Sequence, residues 1–460
     1  MNLNRMLLER GAAGRPVTVG LIGAGKFGTM FLSQARQTRG MHVVAVADLD
    51  IPRTLSRLAA ASWPGEQFAA QSVEDATRSG GTCVTGDADR LLNAPQIEVV
   101  VEATGSPGNG VGYALKAIEA GKHIVMVNVE ADALAGPLLA RKARAAGVVY
   151  SLAWGDQPAL ICEHVDWARA CGFRVVAAGK GTRYHPTYHK STPETVWDIL
   201  DRYMRIKDRA SINPKMFNSF VDGSKSGIEM TAVCNATGLE AQSEGLGFPP
   251  AGRFEHAEIC KPRSAGGVLE KAGVTEVTSS VHRDGTDVPH SLVMGTYVVF
   301  ETDSPYSQEC FREYGMLPDE SGRYACLYRP IHMIGLELGV SVASAALRKE
   351  PTGSPFTFNS DVVATAKRSL AAGEILDGEG GFCVWGRQVP AARSLREGLL
   401  PLGLAHNVRL KSGIEEGCPV RWDDVVVDPD DLAVRVRREM EKEFADAGRA
   451  AAHETGFGGV

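Results

Sequence analysis

The chain has 460 residues, 44% of them hydrophobic and 23% charged, too many for one ordinary domain and too apolar for a disordered chain. Forty-nine basic residues against 55 acidic ones give a net charge of −6, which does not suit non-specific nucleic-acid binding. No run of about 18 apolar residues offers a membrane span.

The N-terminus, MNLNRMLLERGAAGRP, has no apolar core and no small-residue cleavage site, so no secretory signal is expected. Nine cysteines occur without a CxxC pair. They read as reduced thiols of a cytoplasmic protein rather than a disulfide framework or a zinc site.

Val17–Ile22 (VTVGLI) reads as a buried parallel strand. GAGKFG follows it, with Phe27, Met30, Phe31 and Ala35 at helical spacing. His42–Ala47 is a second strand and ends in Asp48. This is a βαβ unit with G-x-G-x-x-G at its first turn. Gly23 permits the tight turn, Gly25 lets a pyrophosphate approach the backbone, and Gly28 lets helix and strand pack. The N–H groups of the Ala24–Lys26–Phe27 stretch are then placed to bind phosphate. Asp48 stands where an acid accepts from the adenosine ribose, which leans to NAD. Arg53 follows in the same loop and could pair with the 2′-phosphate of NADP. Either cofactor is therefore expected.

Leu55–Arg78 reads as an amphipathic helical stretch, broken at Trp63–Pro64–Gly65 and lying on the surface as an insertion. Glu98–Ala103, His123–Asn128 and Val148–Leu152 are further buried strands separated by helical stretches. Alternation of this kind predicts an α/β fold with a doubly wound parallel sheet. Thr104, Gly105 and Asn128 fall at strand ends, along the edge expected for the nicotinamide.

From Cys171 the pattern changes. Residues 172–186 read as a strand running into a polar glycine loop, in which Lys180 between Gly179 and Gly181 can reach inward. A helix is expected from near Ser226 to Thr237, with Lys225 in a DGSK turn before it and Asp222, Glu229 and Asn235 around it. Residues 297–300 form a strand, and 326–347 run from strand to a long apolar helix that Arg329 and His332 begin. Hydride transfer needs a group to exchange the hydroxyl proton and a cation to hold a substrate anion. Lys225 or His332 could do the first; Lys180, Arg183 and Arg329 could do the second. Each could equally be a solvated lysine or a hydrogen-bonded core histidine, as could Glu337. Asp222 and Glu229 could ligate a divalent metal. Tyr184–Lys190 (YHPTYHK) either shapes a substrate pocket or forms a solvated loop.

Pro351–Ser360 reads as a linker, followed by short strands with glycine turns and then a charged helix over 432–450 that reads as solvated.

The blocks GLIGAGKFG, EATGSP, GKHIVMVNVEAD and GVVYSLAWGDQP resemble the homoserine-dehydrogenase-like oxidoreductases, and among them the deoxyxylulose-phosphate-reductoisomerase-like group. GKG, DGSKSGIEM, NATGL, GGVLEKAG and RPIH in the second half are similar to that group's blocks too, so the resemblance covers most of residues 15–440. True homoserine dehydrogenases place Asn-Lys after the fourth strand, whereas this chain has Asn128–Val129–Glu130. LAAGEIL and LKSGIEEGCPVRWDDV resemble the SAF domain, a small β-clip found in sugar-acid enzymes. The implied organisation is a Rossmann domain over 15–155, a mixed α/β catalytic domain over 156–350, a β-rich SAF-like domain over 360–432 and a helical tail over 433–460.

The resemblance implies an NAD(P)-dependent oxidoreductase, forming a homo-oligomer and acting on a small polar hydroxy or keto substrate, with no nucleic acid or membrane as partner. In its sharpest form it implies reductive isomerisation of deoxyxylulose 5-phosphate to methylerythritol 4-phosphate. A simple alcohol or hydroxy-acid dehydrogenase is an alternative. So is a nucleotide-binding regulatory protein whose SAF-like domain binds a sugar acid.

Overall fold

The computed structural model describes residues 2–202, 209 and 213–455, with side chains described to 445. Met1–Leu160 with His332–Phe356 form one compact unit, and Ile161–Ile331 with Thr357–Val460 a second.

In the first unit, six parallel strands order as β3-β2-β1-β4-β5-β6. They are β1 (Val17–Ile22), β2 (Met41–Ala47), β3 (Cys83–Thr85), β4 (Val99–Glu102), β5 (His123–Met126) and β6 (Tyr150–Leu152). Apart from Thr18 and Val84, their β-branched residues are buried, on both faces, because helices cover both, as a parallel sheet requires. The order reverses between β1 and β4, which creates a crevice at their carboxyl ends.

The stretch expected as a surface insertion is the crossover from β2 to β3. Its helices span Ile51–Ala60 and Val73–Ser79. Trp63 between them is buried and its indole N–H donates to the Leu32 carbonyl at 3.1 Å. β3 escapes a periodicity reading because it is three residues long. The N-terminal helix Leu3–Ala12 was also not anticipated; it buries only Leu3 and Leu7.

The second unit holds a mixed sheet of order β10-β9-β7-β8, made of β7 (Arg174–Thr182), β8 (Val274–Ser279), β9 (Thr296–Glu301) and β10 (Tyr324–Arg329). One face packs Val175, Ala178, Val298 and Phe300 against Ile161 and Val165 of helix Gln157–Ala170 and Met230 and Val233 of helix Ser224–Thr237. The C-terminal β domain pairs β11 (Ser360–Ala366) with β13 (Val384–Pro390). It also pairs β14 (His406–Leu410) with β12 (Ile375–Asp377) and β15 (Val425–Val426).

Two expectations fail here. Residues 326–347 do not form strand plus long helix. β10 ends at Arg329, and the helix begins only at Gly339 and continues as a π turn to Arg348. Gly335 at φ +77 lies in the intervening turn, where a helix cannot run through. The C-terminal helix Leu432–Thr455 is not simply solvated, because Val434, Val436, Arg437 and Met440 are buried. Among the described residues no helix is long and apolar enough to cross a membrane.

Candidate active site

The glycine turn of the first unit fits a dinucleotide. A Cβ on Gly25 would meet nothing within 4 Å, whereas one on Gly28 would collide with the Gly23 carbonyl oxygen. So Gly28 is glycine for packing and Gly25 leaves open room. No side chain caps the helix that starts at Lys26, and an uncapped N-terminus suits an anion. Gly25→Val is therefore expected to leave the fold intact and weaken dinucleotide binding more than about tenfold. Fluorescence titration showing near-normal affinity would refute that placement.

Asp48 sits at the end of β2 as expected, but its carboxylate holds the turn. Oδ2 accepts the Ala24 N–H at 2.7 Å and Oδ1 accepts the Asp50 N–H at 2.9 Å. Asp50 caps the next helix, in which Arg53 and Arg57 lie. Arg57 donates to the Ala24 carbonyl. Burial depresses its pKa, and the charge of Arg53 depresses it further. Sequence reading missed Arg57, although its i,i+4 spacing from Arg53 places both on one helix face.

Thr104, Gly105 and Asn128 come together at the ends of β4 and β5. Glu102 accepts from the Thr104 N–H at 3.0 Å and the Thr104 hydroxyl at 2.5 Å. Asn128 donates to the Ser106 carbonyl at 2.9 Å and caps the next helix by accepting the Ala131 N–H at 3.1 Å. Glu102 is fully buried, and that burial pushes its carboxyl up to about 7.

An acid that titrates near 7 when folded and near 4.5 when unfolded keeps its proton longer in the folded state. Its contribution is therefore lost as pH rises between those values. Glu102→Gln should outstabilise the parent by up to about 3 kcal/mol at pH 8 and by little at pH 4. Equal melting-temperature differences at both pH values would count against the buried acid.

In the second unit, Lys180 is not in a flexible loop. Gly179 and Gly181 lie inside β7, and a Cβ on Gly179 would collide with the Glu276 carbonyl of β8. Lys180 pairs across the sheet with Thr296, and Thr296 with Arg329. Directly opposed residues share a face. The face is apolar at Phe300 and Val298 and turns polar at this last row. Lys180 is buried and makes an ion pair with buried Glu229. His164 reaches Thr296 at 3.0 Å. Burial, helped by the charge of Arg329, pushes this imidazole down to about 4, so it is neutral near pH 7.

Helix Ser224–Thr237 carries Lys225 in its first turn, one turn before Glu229 and on the same face. From Ser224 to Asn235 every residue is buried except Lys225, which is half-buried. Lys225, Glu229, Lys180, Thr296, His164 and Arg329 are thus the polar groups at this end of the second unit. His164 and Thr296 carried no sequence signal.

Asp222 lies elsewhere, fully buried on Lys367 at 2.8 Å. With Asp222 and Glu229 each holding a lysine, they form no shared metal site. Among the described residues no group of three or more His, Cys, Asp or Glu is placed for a metal ion. Arg183 pairs with Asp287 at 2.7 Å. His332 is in a loop of the first unit, as is Glu337.

The Tyr184–Lys190 segment divides. Lys190 is exposed and pairs with Glu416. His189 is folded inward, stacked on Trp385 at 3.8 Å, and lines a cavity of about 220 Å³ with Phe248 and Arg387. Its Nδ1 must donate to the Asp222 carbonyl at 2.7 Å, so Nε2 accepts from the Tyr184 hydroxyl at 2.8 Å. Burial pushes His189 down to about 4.

Comparison with known proteins agrees with this layout. Residues 155–338 match the family model for the catalytic domain of oxidoreductase DRL. Residues 19–152 match the NAD-binding domain of homoserine dehydrogenase, and 361–426 the SAF domain. No curated protein matches the chain.

Among solved structures, myo-inositol dehydrogenase from Lactobacillus casei, in complex with NAD(H) and myo-inositol, is 18% identical. The match covers 40% of this chain and 52% of that one with a TM-score of 0.28. Levoglucosan dehydrogenase with NADH and L-sorbose is 22% identical over 38% of this chain and 46% of that one, with a TM-score of 0.25. The chain thus spans about half the length of these two structures. A probable dehydrogenase from Thermotoga maritima is 12% identical over 73% of this chain and 90% of that one, with a TM-score of 0.34. The chain thus carries one stretch that matches an NAD-binding domain and another that matches an oxidoreductase catalytic domain.

Proposed function

We propose that the protein is an NADP(H)-dependent oxidoreductase for a small hydroxy or keto substrate that carries an anionic group. The observation that carries this reading is the half-buried Lys225 on an otherwise buried helix segment, on the face of Glu229. Lys180, Lys225 and Arg329 bring three cations to the end of the second unit where Glu229 lies. Cations gathered in a partly desolvated place favour a carboxylate or phosphate.

The dinucleotide supplies or accepts the hydride. Lys225 polarises the substrate carbonyl and gives its proton to the oxygen as the carbonyl carbon is reduced. Arg329 holds the anion. The Lys180–Glu229 pair fixes the helix face behind them. The sharpest form is the conversion of deoxyxylulose 5-phosphate to methylerythritol 4-phosphate, in which a rearrangement within the substrate precedes one hydride and one proton. Simple dehydrogenation is the second reading. It is favoured by the lysines that already occupy Asp222 and Glu229, the carboxylates a metal-assisted rearrangement would draw on. NADPH oxidation measured with deoxyxylulose 5-phosphate and with a panel of keto acids separates the two. Turnover of none of them would count against both.

NADP is preferred to NAD because Arg53 and Arg57 share one helix face and repel each other, only partly offset by Asp48 and Asp50, while the Asp48 carboxylate is engaged by the turn. Arg53→Ala and Arg57→Ala should each weaken NADPH binding by about 1.5–3 kcal/mol and NADH far less. Asp48→Ala should weaken both. Equal losses for the two cofactors in both arginine variants would assign the enzyme to NAD.

A further inference from the structure

One face of helix Ser224–Thr237 is held along its length by the C-terminal β domain. The Ser224 hydroxyl accepts the Gly386 N–H at 2.8 Å. A Cβ on Gly227 would come within 2.8 Å of the Gly386 carbonyl and 3.2 Å of Val362 Cγ2. Thr231 meets Ser360 hydroxyl to hydroxyl at 3.1 Å. Asn235 Oδ1 accepts the N–H groups of Asn359 and Ser360 at 2.9 and 3.1 Å, and Nδ2 donates to the Ser360 carbonyl at 3.1 Å. At about 100° per residue, positions 224, 227, 231 and 235 make one stripe, and Lys225 and Glu229 stand well round from it.

The start of the helix is tied to the same domain by a second device. Asp222 Oδ1 accepts the Ser224 N–H at 2.8 Å, and Oδ2 lies 2.8 Å from Lys367 Nζ. Lys367, buried near the end of β11, also donates to the carbonyls of Ser191 at 2.7 Å and Gly381 at 2.6 Å. Its ammonium thus donates to two carbonyls and is ion-paired with Asp222. Asp222 in turn precedes Gly223, whose φ of +92 turns the chain into the helix. Lys225 is two residues further on.

We propose that Lys367 of the C-terminal β domain is a positioning residue for Lys225. By neutralising Asp222 it fixes the Asp222–Ser224 turn, and the turn fixes the direction in which Lys225 leaves the helix. The β domain is then a working part of the oxidoreductase site. This rests on the reading of Lys225 as the substrate-facing cation, but its test does not use substrate.

Lys367→Met removes the charge at similar volume, and Asp222→Asn keeps the acceptor for Ser224 without the charge. The rate at which each lysine of the intact protein is acetylated by an N-hydroxysuccinimide ester is read by peptide mass spectrometry. Lys116 and Lys271 are the internal references. In Lys367→Met the Lys225 rate should change by at least about threefold while the references stay constant, because the buried carboxylate has lost the cation it is paired with. Asp222→Asn added to Lys367→Met should return the rate to near that of the parent. NADPH affinity should be unchanged throughout.

An unchanged Lys225 rate in folded Lys367→Met overturns the proposal. If that variant does not fold, Asp222→Asn alone, which strands the lysine instead, replaces it under the same criterion. Normal turnover in a Lys225 variant would sink the reading of the site while leaving the acetylation result standing, so the two failures are distinguishable.

Discussion

Arg437→Ala is expected to lower stability by about 3–5 kcal/mol, the cost of leaving one partner of a buried ion pair alone. The arginine lies in the C-terminal helix yet is fully buried. Its Nη2 and Nη1 reach the two oxygens of Asp361 at 2.5 and 3.2 Å, and its Nε reaches Glu441 at 2.9 Å. The guanidinium also lies 5.0 Å from the Phe358 ring centroid. Among the described residues Asp361 keeps the Ser394 hydroxyl at 2.6 Å and the Val362 N–H at 2.9 Å when the arginine goes. Two neutral donors do not replace a bidentate cation. Arg437→Met with Asp361→Asn should cost far less, because no charge is left buried. Arg78→Ala, at an 81% exposed side chain paired with Asp75, should stay within about 1 kcal/mol. Urea unfolding decides this, and a loss below about 1 kcal/mol for Arg437→Ala would show that the helix does not lock the β domain.

That lock shows where sequence reading stops. The run RVRREMEKEFADAGR looks like a solvated face, because the periodicity of charge does not reveal which arginine a buried aspartate 76 residues away will select. The βαβ unit was legible because its signals are local and agree: an apolar run, a glycine turn, a helical stripe and a second run ending in an acid. GKG was misread for the opposite reason. Glycines normally mark loops, but in β7 they make room for neighbouring backbone. Lys180, Thr296, Arg329 and His164 come from four elements and meet only through sheet register and helix packing. Lys225 and Glu229 were singled out because they lie four residues apart in one block, although Lys225 was expected in the turn before the helix rather than in its first turn. Lys367 was not, because nothing local ties it to Asp222.

The second large effect is at Lys225. Lys225→Ala should lower kcat/KM by at least about a hundredfold, roughly 2.7 kcal/mol of transition-state stabilisation. A cation that polarises the carbonyl acts mainly in the transition state, so the loss should fall on kcat rather than KM. Stability should change little, since the side chain is half-buried rather than packed in the core. Affinity for NADPH should hold, because the glycine turn and Arg57 belong to the first unit. Lys271 is the control. It pairs with Glu240 at 2.5 Å with both side chains about half exposed, and Lys271→Ala should leave turnover near normal. Lys180→Met is different in kind. It strands Glu229 in the core and should cost stability and activity together. Measured side by side, the three variants separate a lysine that acts on substrate from one that supports the helix and one that only decorates the surface. An active Lys225→Ala beside an inactive Lys271→Ala would reverse the assignment. If all three were active, the catalytic cation would have to be Arg329, the remaining charge on the polar row of the sheet.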